Sequence, residues 1–405
     1  MHVLIVDHVA SLGGAEFSLE ALVDRMPAGR CRYTVALPGP GPFADRLRQK
    51  HVAVMQVRHE SWRWWARTRK QKIKFFITMP LQASSLVRWL FFLKRLRPDI
   101  VHCNLSRLVE PLVAAYMLHI PIVLHFRDIP SRQRGHFTLG HRSFYGLMNL
   151  ADAWVANSTA TAADIRPYCR RPLFVIPNGL DLARFDRDRV EARAQAEALL
   201  LPARHHVAMI ANIVPWKRYE DFVELAARAS RSRRDTAFYL VGNEVDREYA
   251  AGLRSTLEKA GLSAHVRFLG QIDCIPAFIG KLDVMVHTTP HEPFGRVFLE
   301  GMAGERPIVA TASGGAAEII VDGVTGVLVP QGALDQMAAA LNGLLDDETR
   351  RRALGVAGRR RVEANYTIER HCEAAAALYD ELLQIRRQRR PSESPGRHQA
   401  TSQAG

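Results

Sequence analysis

The chain has 405 residues, 47% of them apolar, which is more than one ordinary hydrophobic core holds, so two domains are expected. Fifty-five Lys and Arg against 41 Asp and Glu leave a formal charge of +14, which points to an anionic partner such as nucleic acid, anionic lipid or a phosphorylated ligand. The five cysteines, Cys31, Cys103, Cys169, Cys274 and Cys372, are too scattered for a metal site or a small-domain disulfide framework, which fits a reducing cytosol.

In chain order, MHVLIVDHVA has no basic leader and runs straight into a glycine turn, so it reads as a strand and not a secretion signal. Short apolar runs follow at YTVALPG (33–39), VAVMQV (52–57), DIVHCN (99–104), PIVLHF (121–126), AWVANS (153–158) and LFVIPNG (173–179). The same rhythm returns with HVAMIANI (206–213), AFYLVG (237–242), VRFLG (266–270), DVMVHTT (283–289), PIVATAS (307–313) and TGVLVP (325–330). Runs this apolar are buried on both faces, hence parallel strands covered by helices. There are too many for one open sheet of ordinary size. The expected architecture is therefore α/β, with two doubly wound, Rossmann-like domains facing across a cleft. The expected limits are 1–185 and 203–365, a helix at 366–388 long enough to cross back, and a disordered tail at 389–405. The apolar stretch Phe75–Val87 contains Pro80 and falls short of the roughly 20 residues of a membrane-crossing helix.

Ligands of such domains sit at the carboxyl ends of strands, and four stretches fall there. Gly13-Gly14 follows the first strand and opens a helix, where backbone amides favour an anion. Lys217 occupies a strand-to-helix turn and can hold a diphosphate as a point charge. His291, Glu292, Phe294 and Gly295 lie in a loop past DVMVHTT, and a short helix beginning RVFLEG carries Glu300. That pattern suits one acid for sugar hydroxyls, one for a ribose diol, and helix amides for the diphosphate between them. Taken singly, each stretch equally suits an ordinary turn, a solvated lysine or a salt-bridged glutamate.

EPFGRVFLE, together with GGAE at 13–16, VIPNGLDLARF at 175–185 and the strand-turn-lysine Ala211–Lys217, resembles the retaining nucleotide-sugar glycosyltransferases of the family 4 type, with the GT-B fold. The resemblance runs from about residue 1 to 385. It implies transfer of a sugar from a nucleotide-diphosphate donor with retention at the anomeric carbon and no metal cofactor. By position, it places Glu292 on the donor sugar, the amides of Phe294, Gly295 and Arg296 near the diphosphate, Glu300 on the ribose and Lys217 on the phosphates. Gly14 would lie near the phosphates or the acceptor, and His125 would face the reacting centre. Where many members have an arginine five residues before the lysine, this chain has Asn212, which cannot neutralise a phosphate. Arg218 is the residue expected to make up for it.

Residues 58–97 hold eleven Lys and Arg and one acid, Glu60. Wound as a helix, Trp62, Trp65, Ala66, Ile73 and Phe76 form one stripe beside Arg63, Arg67, Lys70 and Lys74. This is the pattern of a helix lying in an anionic membrane interface. Interleaved bases and aromatics also serve nucleic-acid binding, and the tryptophans could equally pack on the first domain. With no nucleic-acid motif present, the expected function is glycosyl transfer to a lipid-linked saccharide at the cytoplasmic face of a membrane, in cell-surface polysaccharide or glycolipid synthesis. The alternatives are a soluble acceptor, or a non-catalytic sugar-nucleotide or nucleic-acid binding module on the same fold.

Overall fold

The computed structural model describes residues 1–58, 73, 79–132, 140–231 and 233–389. The expected membrane-docking residues Trp62, Arg63, Trp65, Arg67, Lys70 and Lys74 lie outside the described residues, as does the tail beyond Arg389. Two parallel sheets organise the chain. The first has strands β1 (His2–Val6), β2 (Arg32–Leu37), β3 (Ala53–Gln56), β4 (Ile100–Cys103), β5 (Ile122–Phe126), β6 (Ala153–Ala156) and β7 (Leu173–Val175), in the order β3-β2-β1-β4-β5-β6-β7. The second has β8 (His205–Ile210), β9 (Thr236–Val241), β10 (Val266–Gly270), β11 (Val284–His287), β12 (Ile308–Thr311) and β13 (Val327–Val329), in the order β10-β9-β8-β11-β12-β13. Each apolar run read from the sequence thus forms a strand, and the two-domain Rossmann-like expectation is met.

Successive residues of a strand point to opposite sheet faces, and here both faces are covered. On β1, Leu4 and Val6 join one core cluster while Val3 and Ile5 join the other. The strand order reverses between β1 and β4 in the first sheet and between β8 and β11 in the second. At such a reversal the connections leave the strand ends in opposite directions and open a crevice.

The last helix, Ile368–Arg389, belongs to the first-domain core although the chain reaches it from the second. Its Ile368, Cys372, Ala375, Tyr379 and Leu382 share a cluster with Val3, Ile5 and Leu19. The two connections between domains run side by side: Leu180 N–H donates to Tyr366 O at 2.8 Å, and Ile368 N–H to Leu180 O at 3.0 Å. Gly179 makes that approach possible, since a Cβ there would meet Ile368 Cα and Thr367 O at 2.6 Å.

Tyr379 is fully buried. Tyr379→Ala should cost the first domain about 3–5 kcal/mol, the usual range for deleting a buried aromatic. In calorimetry the first-domain transition should fall while the second-domain transition stays. The reverse pattern would show that the helix is anchored elsewhere.

Candidate active site

A cleft of about 620 Å³ lies where the two reversal points face each other. Its first-domain wall comes from Leu12–Phe17 after β1, Arg127 and Asp128 after β5, and Asn157 after β6. The second-domain wall comes from Ala211, Asn212, Trp216 and Lys217 after β8, Gly242 and Asn243 after β9, and Glu292–Val297 with Glu300 after β11.

Glycines shape the loop that carries Glu292. Gly295 has φ +91°, a left-handed value that spares glycine a Cβ clash, and it begins the helix Arg296–Ala303. No side chain caps that helix, so first-turn amides remain available to a ligand. Gly315 lies against the same loop, donating its N–H to Glu292 O at 2.8 Å; a Cβ there would sit 2.0 Å from Phe294 O. The loop also touches the opposite domain, where Ser158 Oγ donates to Pro293 O at 2.6 Å; beside it Thr159 donates twice to Glu318 Oε2 on the helix Gly314–Ile319.

Glu292 and Lys217 are both buried, with Nζ 2.5 Å from Oε2. His287 Nε2 stands 3.8 Å from the same oxygen. Burial pushes the Glu292 carboxyl up, but the Lys217 ammonium outweighs it and holds the group below its ordinary value. Burial and the Lys217 charge bring His287 down to about 3, so its ring is neutral. Lys217 Nζ also lies 4.1 Å from the centre of the exposed Trp216 ring. Glu300 Oε1 accepts from Arg296 Nε at 3.0 Å, and the Arg296 guanidinium stacks 5.3 Å from the Phe17 ring across the cleft. Arg46 approaches the same ring at 5.5 Å while gripping Glu20 with two hydrogen bonds of 2.8 and 2.9 Å.

Behind the first-domain wall runs a buried polar chain. Tyr379 OH and His102 Nδ1 are 2.7 Å apart, and His102 Nε2 lies 3.3 Å from His125 Nδ1. Burial, with Arg127 nearby, lowers His102 to about 3 and His125 well below its usual value. Asn104 links Asp7 to Arg127, accepting from Arg127 Nε at 2.8 Å and donating to Asp7 Oδ2 at 2.5 Å. Glu16 lies close by, its carboxyl raised to about 7 by burial and by Asp7. Asp7, His8 and Glu16 each bring a ligand-type atom within 4.8 Å of the others.

The structure thus gathers Gly14, Asn212, Lys217, Glu292, Phe294, Gly295, Arg296 and Glu300 around one cleft. His125 is buried on β5 and is not among the cleft-lining residues. Arg218 is not brought to the cleft either: at φ +60° it caps its helix, and its guanidinium holds Asp221 at 2.7 and 3.0 Å. Sequence reasoning missed Phe17, Glu20, Arg46 and Arg127. Phe17 and Glu20 stand three and six positions past Gly14, a helical spacing that could have marked them. The partners of Arg127 come from three separate strand ends, which no local pattern reveals.

Comparison with known proteins agrees with this geometry. Residues 12–184 match the model described as Glycosyltransferase Family 4, and residues 193–361 that described as Glycosyl transferases group 1. The lipopolysaccharide core biosynthesis mannosyltransferase LpsB of Rhizobium meliloti is 30% identical over 58% of this chain and 68% of its own. A GDP-mannose-dependent alpha-(1-6)-phosphatidylinositol monomannoside mannosyltransferase of Mycolicibacterium smegmatis is 31% identical over 53% of this chain and 57% of its own. The crystal structure of Anabaena Alr3699/HepE in complex with UDP-glucose superposes with a TM-score of 0.79 at 24% identity, covering 94% of this chain and all of that one. A two-domain α/β fold with its site between facing strand ends is the GT-B architecture of glycosyltransferases. The chain belongs to the family 4 type of these enzymes.

Lys217→Met leaves Glu292 buried without its cation. Because the wild-type carboxyl is held low, its stabilising contribution is present above the ordinary carboxylate pKa and lost as pH falls through the folded value. The variant should therefore lose about 3–5 kcal/mol near neutrality and less in acid, as denaturation at several pH values would measure. An equal loss at every pH would mean that Glu292 is not ionised in the native state.

Proposed function

We propose that the chain is a retaining glycosyltransferase that moves a sugar from a nucleotide-diphosphate donor to a lipid-linked saccharide, on the cytoplasmic face of a membrane, in cell-surface polysaccharide or glycolipid synthesis. The observation that carries the donor reading is the buried Lys217–Glu292 pair beside an uncapped helix N-terminus, with Glu300 one helical turn further on. In this reading Glu300 accepts from the ribose hydroxyls. Lys217, Arg296 and the first-turn amides take the diphosphate, doing the charge work a divalent cation does elsewhere.

Glu292 faces the sugar as an ionised carboxylate. One oxygen is committed to Lys217, so its role is to stabilise positive charge at the anomeric carbon and not to attack it. The bond from that carbon to the diphosphate breaks, and the acceptor oxygen joins on the same face. The acceptor's proton leaves with the departing phosphate. Asn212 lines the cleft but has no charge to offer a phosphate, and in this reading Arg296 supplies it.

The membrane reading draws on the helix Met79–Leu96, which contains no acid and carries Arg88, Lys94 and Arg95. Its Val87 and Phe91, four residues apart, are 50% and 71% exposed. An apolar face flanked by cations suits an anionic bilayer surface. LpsB is named for lipopolysaccharide core biosynthesis and the mycobacterial relative for a phosphatidylinositol monomannoside, which supports a lipid-linked acceptor. No described helix is long and apolar enough to cross a membrane.

Thermal shifts with UDP, GDP, UDP-glucose and GDP-mannose should reveal the donor by mass action. Glu292→Gln should then lose transfer by roughly 10²–10³-fold while keeping the nucleotide shift, and Glu300→Ala should lose that shift. Retained turnover in Glu292→Gln would sink the assignment. Phe91→Asp should release the protein from anionic vesicles in co-sedimentation and leave it soluble with neutral ones; unchanged pelleting would remove this helix from the membrane reading.

A further inference from the structure

Arg127 is a buried cation on the cleft wall whose charge the donor reading does not use. It is only 8% exposed. Its Nε donates to Asn104 Oδ1 and its Nη1 to Asn178 Oδ1, both at 2.8 Å, while its backbone carbonyl accepts from Asn157 Nδ2 at 3.3 Å. Among the described residues Nη2 is buried without a hydrogen-bond partner. A buried guanidinium left short of a partner costs free energy, and a fork held by two amides is rigid before any ligand arrives.

No carboxylate is bonded to that guanidinium. Its two fixed partners are neutral amides. Asp7 and Glu16 act on it only from a distance, Asp7 being bonded to the intervening Asn104. His102, His125 and His371, which all feel the Arg127 charge, have lowered pKa values and are neutral. Lys217 and Arg296, the cations that suit a diphosphate, stand on the opposite wall.

We propose that Arg127 forms an anion subsite on the acceptor wall, its free Nη2 taking a carboxylate or phosphate oxygen carried by the saccharide acceptor. The acceptor class is then an acidic saccharide, a uronate or a phosphorylated sugar. This rests on the proposed function: with the donor held by Lys217, Glu292, Arg296 and Glu300 of the second domain, the first-domain wall facing them is the side left for the acceptor. Planar, fixed guanidinium donors match both oxyanions, and an amide-held arginine discriminates against a neutral hydroxyl because charge-assisted hydrogen bonds are the stronger ones.

The test uses the full chain with UDP or GDP, whichever raises its melting temperature. Saturation-transfer NMR compares methyl β-glucuronide and glucose 6-phosphate with methyl β-glucoside. One or both anionic sugars should bind roughly tenfold tighter than the glucoside, the worth of one charge-assisted hydrogen bond, and which one does so separates carboxylate from phosphate. In Arg127→Gln the difference should vanish with the nucleotide shift unchanged, while Arg127→Lys should keep part of it. Equal binding of all three sugars by the wild type overturns the proposal, as does a preference that survives in Arg127→Gln. If Arg127→Gln weakens nucleotide binding instead, the residue serves the donor and the proposal also fails. A wild type that no nucleotide stabilises refutes the donor reading alone; the sugar comparison made without nucleotide still decides this one.

Discussion

Keeping a carboxylate charged in a place from which water has been removed is the constraint on which the cleft depends. Burial alone would favour the protonated form of Glu292, which in the proposed reaction could not stabilise positive charge at a sugar carbon. The Lys217 ammonium at 2.5 Å supplies the opposing field, and the neutral His287 ring fills the space behind without adding a proton. Lys217 is held in turn by its own turn and by contact with Trp216. The pair therefore acts as one unit, and neither member has the same chemistry without the other.

The rest of the architecture serves to aim that unit. Two sheets reverse order at the places where they face each other, so loops from eight strands end around one space. Gly295 and Gly315 allow the Glu292 loop to fold tightly enough that an uncapped helix begins within it. Across the gap, Phe17 gathers Arg296 from one domain and Arg46 from the other on a single ring, each cation balanced by its own acid, Glu300 and Glu20.

Much of this was legible in the chain, for identifiable reasons. Doubly buried strands must be apolar along their whole length, so VLIVD and DVMVHTT announce a parallel sheet with no knowledge of partners. The nine residues of EPFGRVFLE set both acids on one loop-helix unit, where local geometry carries them to the same wall. Long-range pairings were not legible. Arg218 looks like a phosphate ligand by its position, but the two carboxyl oxygens of Asp221 in the next turn claim its guanidinium. Arg127 looks like any strand-end arginine until Asn104 and Asn178 arrive from loops 23 and 51 residues away. The length of the last helix was visible, whereas its burial against β1 is a property of the assembled first domain.

One contact ties these parts in time as well as space. Ser158 of the front lobe holds the carbonyl of Pro293, the residue directly after Glu292, so part of the bonding that shapes this loop comes from the other lobe. Parting them about the paired strands at Leu180 and Thr367 removes that bond and slackens the grip on whatever the loop holds. An activated sugar met by an open enzyme would thus find an incomplete pocket. On the function proposed above, enclosing both reactants would keep stray water from the activated sugar, and the same opening would let the spent nucleotide go.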